Sequence, residues 1–111
     1  MRQPQHIYEL RTYQAYPGKL DALVARFRDH NMRMFEKYGM EVVGFWTADG
    51  GDGDTLVYLL SFPDRASAEG SWKEFMADPG WAWILESEQK EPLTAKIDST
   101  YLSPTDFSAL R

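Results

Sequence analysis

Residues 7–27 read IYELRTYQAYPGKLDALVARF, and the period of the apolar residues changes within this stretch. A first strand is predicted over residues 6–16, where side chains alternate between two faces as in an extended chain. Pro17-Gly18 ends it, because proline lacks an N–H for the ladder and glycine permits a turn. From Lys19 the apolar residues recur at spacings of three and four, which predicts an amphipathic helix that ends at Gly39.

The rest of the chain repeats this order of strand and helix. Three more β-rich segments predict strands, at residues 41–47, 55–62 and 95–102. The glycine- and aspartate-rich residues 48–54 predict the loop of a hairpin between the first two of these strands. Asp64 and Asp78 each stand in an aspartate–proline context that is typical of helix starts, so two further helices are predicted.

The predicted order is β-α-β-β-α-β, which is typical of a ferredoxin-like α+β domain with a four-stranded antiparallel sheet. Residues 1–111 are expected to form a single domain, because the chain is long enough for one core and too short for two. Helices cover only one face of such a sheet, yet the strand at 55–62 is apolar on both sides. We therefore expect a homodimer in which two sheets face each other and form a dimeric α/β barrel.

Charge and composition exclude several classes of partner. The chain has 12 Lys and Arg residues against 17 Asp and Glu residues, which gives a net charge of −5, and its basic residues are scattered. This pattern argues against nucleic acid and against an anionic membrane surface. Absence of cysteine rules out disulfides and thiolate metal sites. The segment MRQPQH lacks the apolar run of a signal peptide, so we expect a cytoplasmic protein.

Several motifs resemble the NIPSNAP family, and the likeness extends from about Ile7 to Leu110. They are IYELRTYQAYPGKLDALVARFRDH, GMEVVGFW, WKEFMADPGWAWI and SPTDFSALR. The resemblance implies a ferredoxin-like fold and a barrel dimer. It also places the chain in a superfamily of cofactor-independent monooxygenases, haem-degrading enzymes and isomerases, in which the site tends to lie between the sheet and its own helices. Fold alone does not choose among these activities.

Metal-dependent and covalent chemistry find little support in the residue pattern. His6 and His30 are the only histidines, and no HExxH or facial-triad spacing occurs. Asp49, Asp52 and Asp54 lack the glutamate that closes an EF-hand loop, and no GxSxG motif is present. We expect no metal and no cofactor. Haem remains an open alternative through His30, although a single histidine is weak support.

Glu9 and Arg11 are the strongest polar candidates for a catalytic site. They lie two residues apart on one face of the first strand, so their side-chain ends can meet. In a functional role Arg11 binds an anionic or carbonyl group, and Glu9 orients it or acts as a base. The alternative is a structural ion pair that includes Lys96 or Asp98 on the neighbouring last strand.

One histidine and four aromatic residues complete the candidate site. His30 lies beside the apolar stripe of the first helix, where it would be either a proton carrier or an ordinary boundary residue. Tyr13, Trp46, Tyr58 and Trp72 are candidates for ligand binding, as the walls of a pocket for a flat apolar ligand. Core packing is the alternative for each of the four.

These residues predict a protein that binds or converts a small aromatic or carbonyl-bearing metabolite in a cavity between sheet and helices. The reaction would be that of a cofactor-independent oxygenase or isomerase, with Arg11 as the anchor and Glu9 or His30 as the proton-transfer group. The alternative is a non-catalytic dimeric module with a structural or protein-interaction role. Glu9 and Arg11 lining a cavity would favour the first hypothesis.

Overall fold

The computed structural model describes residues 6–49 and 53–111. It contains four strands, β1 (Ile7–Ala15), β2 (Glu41–Thr47), β3 (Thr55–Phe62) and β4 (Thr94–Leu102). Its α-helices are α1 (Leu20–Arg26), α2 (Met32–Lys37), α3 (Arg65–Ala77) and α4 (Pro79–Ser87). The predicted α+β architecture and its β-α-β-β-α-β order are confirmed, with the last helix of the pattern divided into α3 and α4.

The strands form one sheet in the order β2-β3-β1-β4, and all neighbours are antiparallel. On the central strand β1, Arg11 is paired with Tyr58 on one side and with Ser99 on the other. Tyr58 is in turn paired with Phe45 on β2. Because directly paired residues point to the same face of a sheet, these four side chains form a row on the face that the helices cover.

The predicted first helix is interrupted in its middle by a π-helical turn at Phe27–Asn31. Its buried residues Leu23, Phe27, Asn31 and Phe35 are spaced four residues apart. This spacing exceeds the 3.6-residue period of an α-helix, so a regular helix would gradually rotate the stripe away from the sheet. The wider π-helical turn compensates for that rotation. Such turns are frequent at functional sites.

Both aspartate caps predicted from the sequence are confirmed. Asp64 accepts a hydrogen bond from the Ser67 backbone N–H at 2.7 Å and begins α3. Asp78 accepts from the backbone N–H groups of Gly80 and Trp81, at 2.7 and 3.3 Å, and begins α4. A cap of this kind stabilises a helix by about 1 kcal/mol, which explains why the chain starts a new helix directly after α3.

Asp78 also ties α4 to the end of α2. Its Oδ2 atom accepts hydrogen bonds from Lys37 Nζ, at 2.7 Å, and from the Tyr38 hydroxyl. These hydrogen bonds, that from Lys37 first, hold the pKa of Asp78 well below its usual range. The carboxylate therefore holds α4 and the C-terminal end of α2 together.

The core between sheet and helices is aromatic. Its buried rings are those of Tyr13, Phe27, Phe35, Tyr58, Phe62, Phe75 and Trp81. Neighbouring rings have centroid separations from 4.8 to 6.5 Å, within the range that favours offset and edge-to-face packing. Most of the aromatic residues thus stabilise the fold.

The opposite face of the sheet carries apolar side chains without helix cover. Val57 and Leu59 of β3 are half-buried there, and Trp46 of β2 is 53% exposed. In the single chain, therefore, only one face of β3 is fully buried.

Among residues 6–49 and 53–111, no helix is long and apolar enough to cross a membrane, and no three acidic or histidine side chains are grouped to hold a metal ion. Part of the predicted loop at residues 48–54, including Asp52, lies outside the described residues. Residues 1–5 also lie outside them.

Candidate functional site

Glu9 is a carboxylate buried in the core, with 1% of its surface exposed. Its Oε1 atom accepts a hydrogen bond from the Trp72 indole N–H at 2.6 Å. Its Oε2 atom accepts from Arg11 Nη1 at 2.8 Å and from the Ser99 hydroxyl at 2.6 Å. A buried charge is tolerated only with partners of this kind, and Glu9 draws its three donors from β1, β4 and α3.

Arg11 lies between the carboxylate and the aromatic core. Its guanidinium carbon is 4.4 Å from the centre of the Trp72 ring, and its Nη2 atom donates to the Tyr13 hydroxyl oxygen at 3.1 Å. Burial works to lower the pKa of Arg11, but the interactions with Tyr58, Tyr13 and Glu9 outweigh it and raise the pKa. The guanidinium therefore stays charged. Among the described residues, its Nε atom is buried without a hydrogen-bond partner.

Two tyrosines extend this arrangement across the sheet. The Tyr58 hydroxyl donates to the Tyr13 oxygen over a long 3.4 Å. Burial raises the pKa of Tyr58 well above its ordinary value, so its phenol stays neutral. Tyr13 thus accepts from both Arg11 and Tyr58, which leaves its own O–H able to donate to a further acceptor.

These residues form one connected group, which we call the buried polar network: Glu9, Arg11, Tyr13, Tyr58, Trp72 and Ser99. It contains one negative and one positive charge, so it is neutral as a whole. A carboxylate with all its donors in place orients a guanidinium, and the guanidinium in turn polarises a phenol. The chemistry available at its outer end is that of a hydrogen-bond donor next to a fixed positive charge.

An apolar cleft of about 270 Å³ opens between the first helix and the sheet. We call it the helix–sheet cleft; its lining residues are Val24, Phe27, Arg28, Met32, Phe45 and Leu56. Phe27 comes from the π-helical turn and Phe45 from β2. Phe45 is stacked on Tyr58 with 4.8 Å between ring centres, and Phe27 meets Tyr13 edge-on at 5.1 Å. The phenols of the buried polar network therefore lie directly behind the cleft walls.

A buried amide lies in the same helical turn. Asn31, 2% exposed, follows Phe27 by four residues and precedes the cleft residue Met32. Its Oδ1 atom is buried and, within the described part of the chain, has no hydrogen-bond partner. An unsatisfied buried acceptor costs about 1–3 kcal/mol, so Asn31 is a residue whose role the fold alone does not explain. The sequence analysis did not select it as a candidate.

The structure brings together five of the residues selected from the sequence, namely Glu9, Arg11, Tyr13, Tyr58 and Trp72. The alternative partners Lys96 and Asp98 are exposed and pair with each other, with 3.6 Å between Nζ and Oδ2. On β4, the side chain that donates a hydrogen bond to Glu9 is that of Ser99. Sequence reasoning had not selected Ser99 or the cleft wall Phe45.

Trp46 and His30 do not join this group, contrary to expectation. Trp46 is paired with Val57, so it points to the opposite face of the sheet, where its ring packs on Gly44. His30 is exposed and borders grooves that also involve Trp83 of α4. Neither side chain faces the space between Arg11 and the helix–sheet cleft.

Solved structures with this fold include bacterial proteins. A NIPSNAP family protein of Agrobacterium tumefaciens with unknown function superposes with a TM-score of 0.86 at 23% identity, over 99% of this chain and 97% of that one. A monooxygenase of Streptomyces coelicolor in complex with nanaomycin D superposes with a TM-score of 0.62 at 14% identity, over 92% of this chain and 89% of that one. At these identities the likeness shows the fold.

Sequence comparison identifies the family. A NipSnap protein of Caenorhabditis elegans is 26% identical over 109 residues, which are 98% of this chain but 20% of the relative, so the chain spans about one fifth of that protein's length. The sequence model of the NIPSNAP family matches residues 8–109. With the fold and nearly the whole length of the chain in agreement, this protein belongs to the NIPSNAP family.

Proposed function

We propose that the chain binds a small aromatic metabolite that carries a hydroxyl or carbonyl oxygen, with its ring in the helix–sheet cleft. The observation that carries this proposal is the contact between the cleft walls and the buried polar network. Phe27 and Phe45 line the cleft and pack directly on Tyr13 and Tyr58. A ring in the cleft would therefore lie close to the hydrogen-bond donors of the network.

The size and lining of the cleft define the ligand class. Its volume of about 270 Å³ lies just below the range of about 300–1,000 Å³ found for small-molecule pockets, which favours one or two fused rings. Phe27 and Phe45 offer ring faces and edges, while Val24 and Leu56 supply aliphatic contact. A flat apolar ring system matches these walls better than a sugar or a phosphate does.

Hydrogen-bonding capacity that the protein leaves unused indicates a polar group on the ligand. The Tyr13 O–H is able to donate to a ligand oxygen, and the charge of Arg11 behind it would strengthen that hydrogen bond. Asn31 Oδ1, buried without a partner among the described residues, would accept from a ligand hydroxyl. A ring that carries one oxygen substituent satisfies either group.

The proposed reaction is cofactor-independent oxygenation or isomerisation of this ligand. Arg11 and Tyr13 would stabilise the phenolate or enolate form, which is the form that reacts. Both oxygens of Glu9 already accept hydrogen bonds, so Glu9 serves to position Arg11 rather than to take a proton from the substrate. The monooxygenase of similar fold supports this reaction class.

Isothermal titration calorimetry with 1-naphthol and its matched analogue naphthalene tests binding. We expect saturable binding of both, with 1-naphthol about tenfold tighter, as one charge-assisted hydrogen bond would give. Phe45→Ala should weaken both ligands, and Tyr13→Phe should weaken 1-naphthol alone. Trp83→Ala, a change at an exposed ring that does not line the cleft, is the control. Absence of saturable binding, or binding that Phe45→Ala leaves unchanged, contradicts the proposal.

The same probe tests the reaction. Oxygenation of 1-naphthol consumes one O₂ and gives 1,4-naphthoquinone and one water, which balances all atoms and needs no external reductant. We expect oxygen uptake above the spontaneous rate, and we expect Arg11→Lys to lower it, because lysine cannot hold the fork geometry between Glu9 and Tyr13. Binding without turnover would restrict the function to ligand binding.

We also propose a homodimer formed through the open face of the sheet. The apolar side chains on that face, including Leu59, Val57 and the exposed Trp46, support it. The same face would serve a non-catalytic interaction module, the second candidate function. Light scattering should give twice the chain mass, and Leu59→Lys should give a monomer. A monomeric unmodified chain contradicts the dimer.

A further inference from the structure

A second buried ion pair lies at the edge of the helix layer, where α1 meets α4. Arg26 Nη1 donates to both carboxylate oxygens of Glu88, at 2.9 and 2.8 Å. The two side chains are 10% and 18% exposed, so the pair is largely shielded from water. The Arg26 guanidinium carbon also lies 5.3 Å from the centre of the Trp81 ring.

Beside this pair runs a groove of about 250 Å³, which we call the lateral groove. Its lining residues are Arg26, Leu85, Glu88, Gln89, Pro92, Leu93 and Thr94. Two of them carry a buried polar atom that has no hydrogen-bond partner in the described part of the molecule: Nε of Arg26 and Oγ1 of Thr94. The groove thus combines apolar walls with two polar atoms whose bonding capacity the fold leaves unused.

The cost of these atoms argues for an occupant. A buried donor without an acceptor costs about 1–3 kcal/mol, and buried polar atoms in native proteins are rarely left in this state. Arg26 Nε–H can only donate, and the Thr94 hydroxyl can donate as well. A group that accepts hydrogen bonds would therefore satisfy both.

The charge balance decides what kind of acceptor fits. Glu88 already neutralises Arg26 through two hydrogen bonds. An anionic ligand would meet the partly buried Glu88 carboxylate, and like charges in a shielded site repel strongly. A neutral carbonyl oxygen accepts from Arg26 Nε without that repulsion, and an apolar body attached to it would contact Leu85, Pro92 and Leu93.

We propose that the lateral groove is a second binding site, which takes a small neutral molecule with an amide or ketone carbonyl on an apolar body. The carbonyl oxygen accepts from Arg26 Nε, and the Thr94 hydroxyl is the second donor to it. This site uses α1, α4 and the start of β4 and shares no lining residue with the helix–sheet cleft. It therefore stands or falls independently of the proposed function.

The test uses acetanilide as the probe, with benzoate and ethylbenzene as matched molecules that carry a charged acceptor and no acceptor. NMR of the full ¹⁵N-labelled chain reports on the Arg26 Nε–H resonance, which is assigned by its loss in Arg26→Lys. We expect acetanilide to shift this resonance saturably and to bind at least about tenfold more tightly than either of the other two molecules.

Two substitutions separate ligand contact from folding. Thr94→Val removes the hydroxyl at nearly constant volume and leaves the Arg26–Glu88 pair intact, so we expect weaker acetanilide binding with the thermal midpoint preserved. Arg26→Lys keeps a cation beside Glu88 but removes the Nε donor, and it should abolish the preference for acetanilide over ethylbenzene, as read from backbone amides of Leu93. The proposal is overturned by an Arg26 resonance that acetanilide does not shift, by equal affinity for ethylbenzene, or by a Thr94→Val variant with unchanged affinity.

Discussion

Two buried arginine–glutamate pairs lie in the described part of the chain, each beside a tryptophan, and they differ in what surrounds them. Both pairs have an Nη1–Oε2 distance of 2.8 Å. Glu9 accepts the indole N–H of Trp72, whereas the indole N–H of Trp81 near Arg26 is buried with no partner in the described residues. Two pairs with the same chemistry therefore have different roles: the first is connected throughout the core, and the second borders a groove with donors unused.

The largest expected effect distinguishes the two carboxylates. Glu9→Ala leaves the charge of Arg11 buried without its partner, which should lower the free energy of unfolding by about 3–5 kcal/mol. Glu88→Ala should cost clearly less, because its pair lies at the edge of the helix layer, where water can reach Arg26 after the change. Urea unfolding of both variants measures the difference, and equal losses would remove the distinction between the two pairs.

The two tryptophans allow a more closely matched comparison of the two ion pairs. Trp72→Phe keeps an aromatic ring beside Arg11 but removes the donor to Glu9, so we expect a loss of about 1–3 kcal/mol. Trp81→Phe removes an indole N–H that is already unpartnered within the described residues, so it should cost less than its counterpart. Denaturant midpoints measured side by side give the comparison. A costlier Trp81→Phe would contradict the description of the second pair.

Alkaline pH should destabilise the buried polar network through Tyr58. Burial raises the pKa of Tyr58 above its ordinary value of 10, so its contribution to stability is fully present below pH 10 and is lost as pH rises from there toward the raised pKa. The slope for this one group is at most about 1.4 kcal/mol per pH unit. Tyr58→Phe should flatten the decline of the unfolding midpoint above pH 10, and an unchanged decline would exclude Tyr58 as its source.

The smallest expected effect is that of Ser99. Ser99→Ala removes one of three donors to Glu9 and should cost about 1 kcal/mol, because Arg11 and Trp72 keep the carboxylate partnered. Thermal unfolding detects a change of this size in a domain of about 100 residues. A loss as large as that of Glu9→Ala would mean that Ser99 fixes the position of the carboxylate.

The arrangement around Glu9 and Arg11 was predictable only as far as the spacing of residues along β1 determines it. Two-residue alternation places Glu9, Arg11 and Tyr13 on one face of β1, and the structure has them there. The contact with Ser99 depends on the register between β1 and β4, which no local pattern contains. The Trp72 N–H reaches Glu9 only because α3 packs over this part of the sheet, and that is a property of the tertiary structure.

Trp46 shows why two-residue alternation does not predict which side chains of β2 face the helices. Val42 is paired with Leu60 and faces the helices, and counting in twos from Val42 would place Trp46 on the same face. A bulge between Val42 and Gly44 shifts the register by one residue, which reverses the facing of all later residues. Phe45 is thereby turned inward and becomes the cleft wall, and Trp46 is turned outward.

The surroundings of the Arg26–Glu88 pair and the helix–sheet cleft were not predictable, because they also depend on tertiary packing. Asn31 appears in the sequence as one more position of the apolar stripe, and its missing partner is visible only with the surrounding atoms in place. Arg26, Glu88 and Thr94 come from three elements far apart in the chain. Their proximity depends on how α4 packs against α1, which composition and spacing do not determine.

The most direct test of the proposed function is a crystal structure of the chain with 1-naphthol. The naphthol ring is predicted to lie in the helix–sheet cleft, against the rings of Phe27 and Phe45, which contact each other edge-on. Its oxygen is predicted to lie within hydrogen-bond distance of the Tyr13 hydroxyl or of Asn31 Oδ1. Density for the ring in any other place, with the helix–sheet cleft empty, would contradict the proposal.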